Sequence, residues 1–74
     1  MQEETIKINT EFIKLDQLLK FSGLAESGAD AKDMIWEGIV SVNGEACEMR
    51  GRKIRPGDTV TVHFEDGDCR LTVE

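Results

Sequence analysis

The sequence predicts an α+β fold, with two short helices packed on one face of a small, mostly antiparallel twisted sheet. Three observations predict it. The stretch KLDQLLKFSGL carries leucines at helical spacing. The stretch SGADAKDMIWEG joins a capping signal to a second apolar stripe. From Ile39 onward, apolar residues alternate with polar ones and are interrupted by Asn-Gly, Pro-Gly-Asp and Asp-Gly turns.

The elements follow in order. Thr5-Ile6-Lys7-Ile8-Asn9 alternates and reads as a short strand. In the first helix, Leu15, Leu18, Leu19 and Ser22 share a face, and Gly23 stops it. Its start has two readings: an early turn capped by Thr10, or an onset near Lys14 with Asp16 in the first turn. The second helix begins at Ser27-Gly28-Ala29-Asp30, which fits a capping box. Its stripe is Ala31, Met34 and Ile35, and Gly38 ends it. Ile39-Val40-Ser41-Val42 then enters Asn43-Gly44, a strong hairpin signal, and Glu45 to Glu48 returns. Arg55-Pro56-Gly57-Asp58 suits a type II turn. Thr59 to Phe64 places Val60, Val62 and Phe64 on one side. Asp66-Gly67 turns the chain, and Leu71 and Val73 share a face of the last strand.

Seventy-four residues make one domain, 1–74. Charged residues are 32% of the chain and the formal net charge is −6. That composition is globular and too small to house a catalytic domain beside a binding module. No apolar run approaches the roughly 18 residues that cross a bilayer. The acidic start, MQEETIKINT, does not resemble a signal peptide, so a cytoplasmic protein is expected. Cys47 and Cys69 lie in no C-x-x-C motif and are expected to be reduced, half-buried and free of metal. His63 is the single histidine, expected to face away from Val62 and Phe64. One histidine on a strand supports neither a metal centre nor a nucleophile–histidine–acid set. No catalytic residue, metal, cofactor or small-molecule substrate is expected.

The chain concentrates its cations in one place. Arg50, Arg52, Lys53 and Arg55 fall within six positions that contain no acid. Guanidinium groups suit bidentate contact with phosphate oxygens, and lysine adds a compact charge. Screening over about 8 Å lets a basic patch act despite distant acids. The commoner reading of such a run is a solvated loop. The sharper reading is an anion site for nucleic-acid phosphate.

Between Lys14 and about Val62, order and spacing resemble the S-four RNA-binding domain, named for the fourth small-subunit ribosomal protein. The marks are Leu15-Asp16 opening helix one, Ala31 on helix two, Gly38-x-Val40-x-Val42-Asn43-Gly44, and Pro56-Gly57-Asp58-x-Val60. Ser27-Gly28-Ala29-Asp30-Ala31-Lys32 and Arg50-Gly51-Arg52-Lys53 look most like small stand-alone bacterial members. The resemblance implies a non-catalytic module that binds structured RNA, ribosomal or transfer RNA, and is associated with the ribosome or its proteins. It favours Lys14 and Lys32, with Lys20 a weaker candidate, beside Arg50, Arg52, Lys53 and Arg55. Where the family often has arginine before Leu-Asp, and Ser-Arg opening helix two, this chain has Lys14 and Ser27-Gly28. Those differences shift weight to the 50–55 loop.

Trp36 falls near Lys32, off the apolar stripe. It could stack on an unpaired base, or it could cover the edge of the core, the commoner fate of tryptophan. The aromatic residues are otherwise dispersed, so recognition should rest on phosphate, sugar and helix shape. Two other functions fit some features. A ubiquitin-like sulfur carrier shares V-N-G-E and G-D-x-V pieces but needs a C-terminal Gly-Gly, where this chain ends Leu71-Thr72-Val73-Glu74. An acidic adaptor would meet a basic partner such as a ribosomal protein.

Overall fold

The computed structural model describes residues 2–74. Its elements are β1 (Gln2–Ile6), β2 (Ile13–Lys14), α1 (Leu15–Phe21), α2 (Gly28–Trp36), β3 (Val40–Val42), β4 (Glu45–Ala46), β5 (Lys53–Ile54), β6 (Thr59–Phe64) and β7 (Gly67–Val73). Five strands form one sheet in the order β1-β7-β6-β3-β4, and β2 pairs with β5 in a separate two-stranded ladder. All pairs are antiparallel except β1 with β7, which is parallel. The α+β expectation holds.

One face of the large sheet is apolar. Ile6, Val40, Val42, Val60, Val62, Cys69, Leu71 and Val73 point from it into a single core. Leu15, Leu18 and Leu19 from α1, and Ala31 and Ile35 from α2, complete that core. The leucine stripe and the alternating strands therefore meet as their periodicities require. Ile54 of β5 is fully buried with them, which anchors the small ladder to the core.

The turns follow their residue chemistry. Asn43 and Gly44 both take positive φ, 52° and 87°, as a two-residue type I′ hairpin demands. Gly57 takes φ 99°, and the Asp58 N–H donates to the Arg55 carbonyl at 2.9 Å, closing the turn. The Ser27 hydroxyl accepts from the Asp30 N–H at 3.2 Å, which caps α2.

Four expectations shift, and one of the two readings of the first helix holds. The first strand is Gln2–Ile6 rather than Thr5–Asn9. Its partner runs out at Val73, opposite Ile6, and the chain continues beyond with an Ile8 N–H bond to the Glu74 carbonyl. The first helix follows the later of its two readings, starting at Leu15 with Asp16 in its first turn, because Ile13 and Lys14 are extended and paired. The return strand after Asn43-Gly44 is only Glu45–Ala46. Phe64 ends its strand at the sheet rim and is partly exposed. Cys47 and Cys69 are free thiols, buried rather than half-buried. Burial, and secondarily the Glu4 carboxylate, pushes the Cys69 thiol above its ordinary value.

Candidate nucleic-acid interface

The basic segment is held by its backbone. Met49 to Arg52 closes a turn, with the Arg52 N–H donating to the Met49 carbonyl at 3.1 Å. The same segment caps α1. The Leu15 N–H donates to the Arg52 carbonyl at 2.9 Å, and the Asp16 N–H donates to the Arg50 carbonyl at 3.1 Å. No side chain caps that helix, so these two carbonyls satisfy donors that would otherwise be orphaned. With their main-chain oxygens engaged, Arg50 and Arg52 keep exposed side chains free for a ligand.

Beside that cap lies the β2–β5 ladder. Lys14 stands directly opposite Lys53, and Ile13 opposite Ile54. Paired residues of a ladder send their side chains to the same face. Two exposed ammonium groups therefore share one surface, an arrangement that costs stability without an anion between them. Lys53 Nζ lies 5.0 Å from the Phe12 ring centroid. The ring face attracts the ammonium and restricts where its charge sits. Among the described residues, the only Lys or Arg in an ion pair is Arg70, with Glu3 at 3.1 Å.

Arg55 opens the next turn. Its N–H donates to Asp58 Oδ2 at 2.8 Å, and Asn43 Nδ2 donates to Asp58 Oδ1 at 3.1 Å. Asn43 Oδ1 in turn accepts from the Thr59 N–H at 3.0 Å. The Asn43-Gly44 hairpin and the Arg55–Asp58 turn are thus clamped together. The Arg55 N–H, then the Asn43 amide, hold the Asp58 carboxyl below its ordinary value. Arg52 and Arg55 add to this, while partial burial opposes it.

The structure brings Lys14, Arg50, Arg52 and Lys53 together around the start of α1, with Arg55 one residue past β5. Lys20 is in the last turn of α1, about 9 Å further along the axis than Lys14. There it complements the helix dipole. Lys32 is half-exposed on α2, with its Nζ 4.4 Å from the Trp36 ring centroid. Trp36 itself is 61% exposed. It does not cover the core, because Ala31 and Ile35 take the inward face of its helix.

Three features escaped the sequence reading. The two-residue ladder that faces Lys14 with Lys53 is too short to show a period. Phe12 under Lys53 is set by that ladder. On the open face of the large sheet, Ser41 Oγ lies 3.1 Å from His63 Nε2, and His63 Nδ1 lies 3.1 Å from Asp68 Oδ1. That connectivity is a nucleophile–histidine–acid set, which the lone histidine did not suggest. Ser41, however, sits within β3, paired on both sides by β4 and β6. Its neighbouring amides serve the ladder instead of forming an oxyanion hole, so the set reads as a cross-strand polar contact.

The fold and the basic face place the chain in a defined class. A family model for the S4 domain matches residues 6–71, and the chain belongs to the S4-domain family. A Bacillus subtilis protein provisionally named ribosome maturation protein RlbA is 44% identical over 57 residues, covering 77% of this chain and 80% of that one. An Escherichia coli protein provisionally named RNA-binding protein YbcJ is 52% identical over 50 residues, covering 66% of this chain and 70% of that one.

Proposed function

We propose that this protein binds structured RNA, ribosomal or transfer RNA, as a non-catalytic cytoplasmic factor associated with the ribosome. The contacts are Arg50, Arg52, Lys53 and Arg55 with Lys14 and Lys32, and Lys20 at the margin. One observation carries the reading: Lys14 faces Lys53 on a ladder docked against the arginine turn. Like charges placed directly opposite lower stability, and an RNA phosphate between them reverses the sign of that contact. Membership of the S4-domain family and the two relatives' names, one RNA-binding and one for ribosome maturation, support it. Among the described residues, no helix is long and apolar enough to cross a membrane.

The test is a salt titration of RNA binding by fluorescence anisotropy, using ribosomal and transfer RNA. If about four to six phosphates are neutralised, log affinity falls with log salt at a slope of about −3 to −5. Replacing Arg52 and Lys53 by glutamate removes about two contacts. Affinity then falls on the order of 100-fold, and the slope flattens by about 1.5 to 2. A folded double variant with the parent's affinity and slope would reduce the loop to a solvated turn.

A further inference from the structure

We propose that Trp36 and Lys32 form a stacking platform for an unpaired base, so that the RNA held by this domain carries an unstacked nucleotide beside a paired stem. The proposal rests on the RNA-binding reading above and names the class of RNA. Tryptophan is highly buried on average. Here the single tryptophan of the chain is 61% exposed, on a helix whose inward face is already filled by Ala31 and Ile35. It does not stand alone. Lys32, one helical turn earlier, places Nζ 4.4 Å from the ring centroid. The ammonium holds the ring and stands ready for a phosphate next to whatever stacks there.

The platform and the basic turn are linked through β3. The chain leaves α2 at Trp36 and enters β3 at Val40. The Val40 carbonyl accepts the Cys47 N–H at 2.9 Å, and Cys47 Sγ lies 3.7 Å from the carbonyl oxygen of Met49, where the basic turn opens. The end of α2 and the start of the cationic segment are therefore tied to the same end of β3. Met49 is itself 68% exposed, which adds apolar surface at the start of the turn. A site of phosphate-binding cations with an exposed aromatic ring selects its ligand. A continuous duplex keeps its bases stacked inside and offers the ring nothing, whereas a bulge or loop nucleotide can be splayed onto it.

The test uses two RNA duplexes of about 16 base pairs, the span of a double-stranded RNA site, alike except that one carries a single bulged adenosine. With one tryptophan in the chain, intrinsic fluorescence reports Trp36 directly. The bulged duplex should quench it strongly and the continuous duplex weakly. Trp36→Ala should weaken binding of the bulged duplex by about 5- to 100-fold. Affinity for the continuous duplex and the salt slope should stay as in the parent. Trp36→Phe should recover part of the loss. Equal quenching by both duplexes, or a Trp36→Ala variant that keeps the parent's preference for the bulge, overturns the proposal and leaves Trp36 to a protein contact. Failure of the parent to bind either duplex, or ribosomal or transfer RNA, overturns the RNA reading together with this one. Binding without discrimination overturns this one alone.

Discussion

The charges of the molecule divide between two regions. Residues 12–57, which hold both helices and the basic turn, carry seven Lys or Arg and seven acids. The flanking segments, 1–11 and 58–74, carry two and eight, and so the whole net charge of −6. The regions also treat their charges differently. On the β1–β7–β6 side, side chains of the open sheet face find partners across the strands: Arg70 pairs with Glu3, and His63 Nδ1 lies against the Asp68 carboxylate. On the helix side, Lys14 meets Lys53. One region uses charge to join strands. The other sets like charges side by side, where an anion would relieve their repulsion. On the proposed function, the acidic flank would repel RNA that does not fit, which reconciles a net charge of −6 with a local phosphate site.

The largest effect should come from what the two regions share. Leu19 is fully buried in the common core, and Leu19→Ala should cost about 2–5 kcal/mol in a chemical denaturation midpoint. If the regions are one cooperative unit, far-ultraviolet circular dichroism and Trp36 fluorescence should report the same midpoint. Separate transitions would mean that the helix side and the strand side unfold independently, and the comparison would then describe two folding units.

Much of this division was legible in the sequence. The helices showed because Leu15, Leu18 and Leu19, and then Ala31 and Ile35, recur at helical spacing. The β3–β4 hairpin showed because Asn-Gly accepts two positive φ values. The basic loop showed as composition alone. The docking was not legible. Parallel pairing of Gln2–Ile6 with β7 joins opposite ends of the chain, and QEET has no apolar alternation to announce it. The β2–β5 ladder is two residues long, and the bonds from Leu15 and Asp16 to the arginine turn are made by main chain. Main-chain bonds leave no residue-specific trace. The four loop cations stood out as a group by composition, while the facing of Lys14 and Lys53 came only from tertiary structure.

An intermediate effect should come from Asp58, which clamps the hairpin to the arginine turn at the boundary between the regions. Its carboxyl is held below the ordinary value, chiefly by the Arg55 N–H and then the Asn43 amide. A depressed folded value means that the contribution is complete above the unfolded carboxylate pKa of about 3.9 and is lost as pH falls through the folded value. Asp58→Asn should cost about 1–2 kcal/mol near neutral pH and remove part of the acid limb of the stability profile below about pH 4. Parallel pH profiles for parent and variant would show that the clamp does not discriminate between protonation states.

The smallest effects bear most directly on the comparison, because their signs differ. Lys14→Gln removes one of two facing ammonium groups. Stability should rise by about 0.2–1 kcal/mol, while RNA affinity falls and the salt slope flattens by about 1. Arg70→Gln breaks the cross-strand pair with Glu3 on the other side. Stability should fall by about 0.2–1 kcal/mol, and the RNA salt slope should not move, since Arg70 faces the open sheet rather than the helix side. Thermal unfolding at low salt, where such pairs are least screened, and anisotropy titrations on the same preparations give both readouts. A residue placed for the fold loses stability and keeps binding. One placed for a ligand does the reverse. If Lys14→Gln destabilised the protein as Arg70→Gln does, Lys14 would belong to the architecture of the ladder, and the phosphate site would rest on the arginine turn alone.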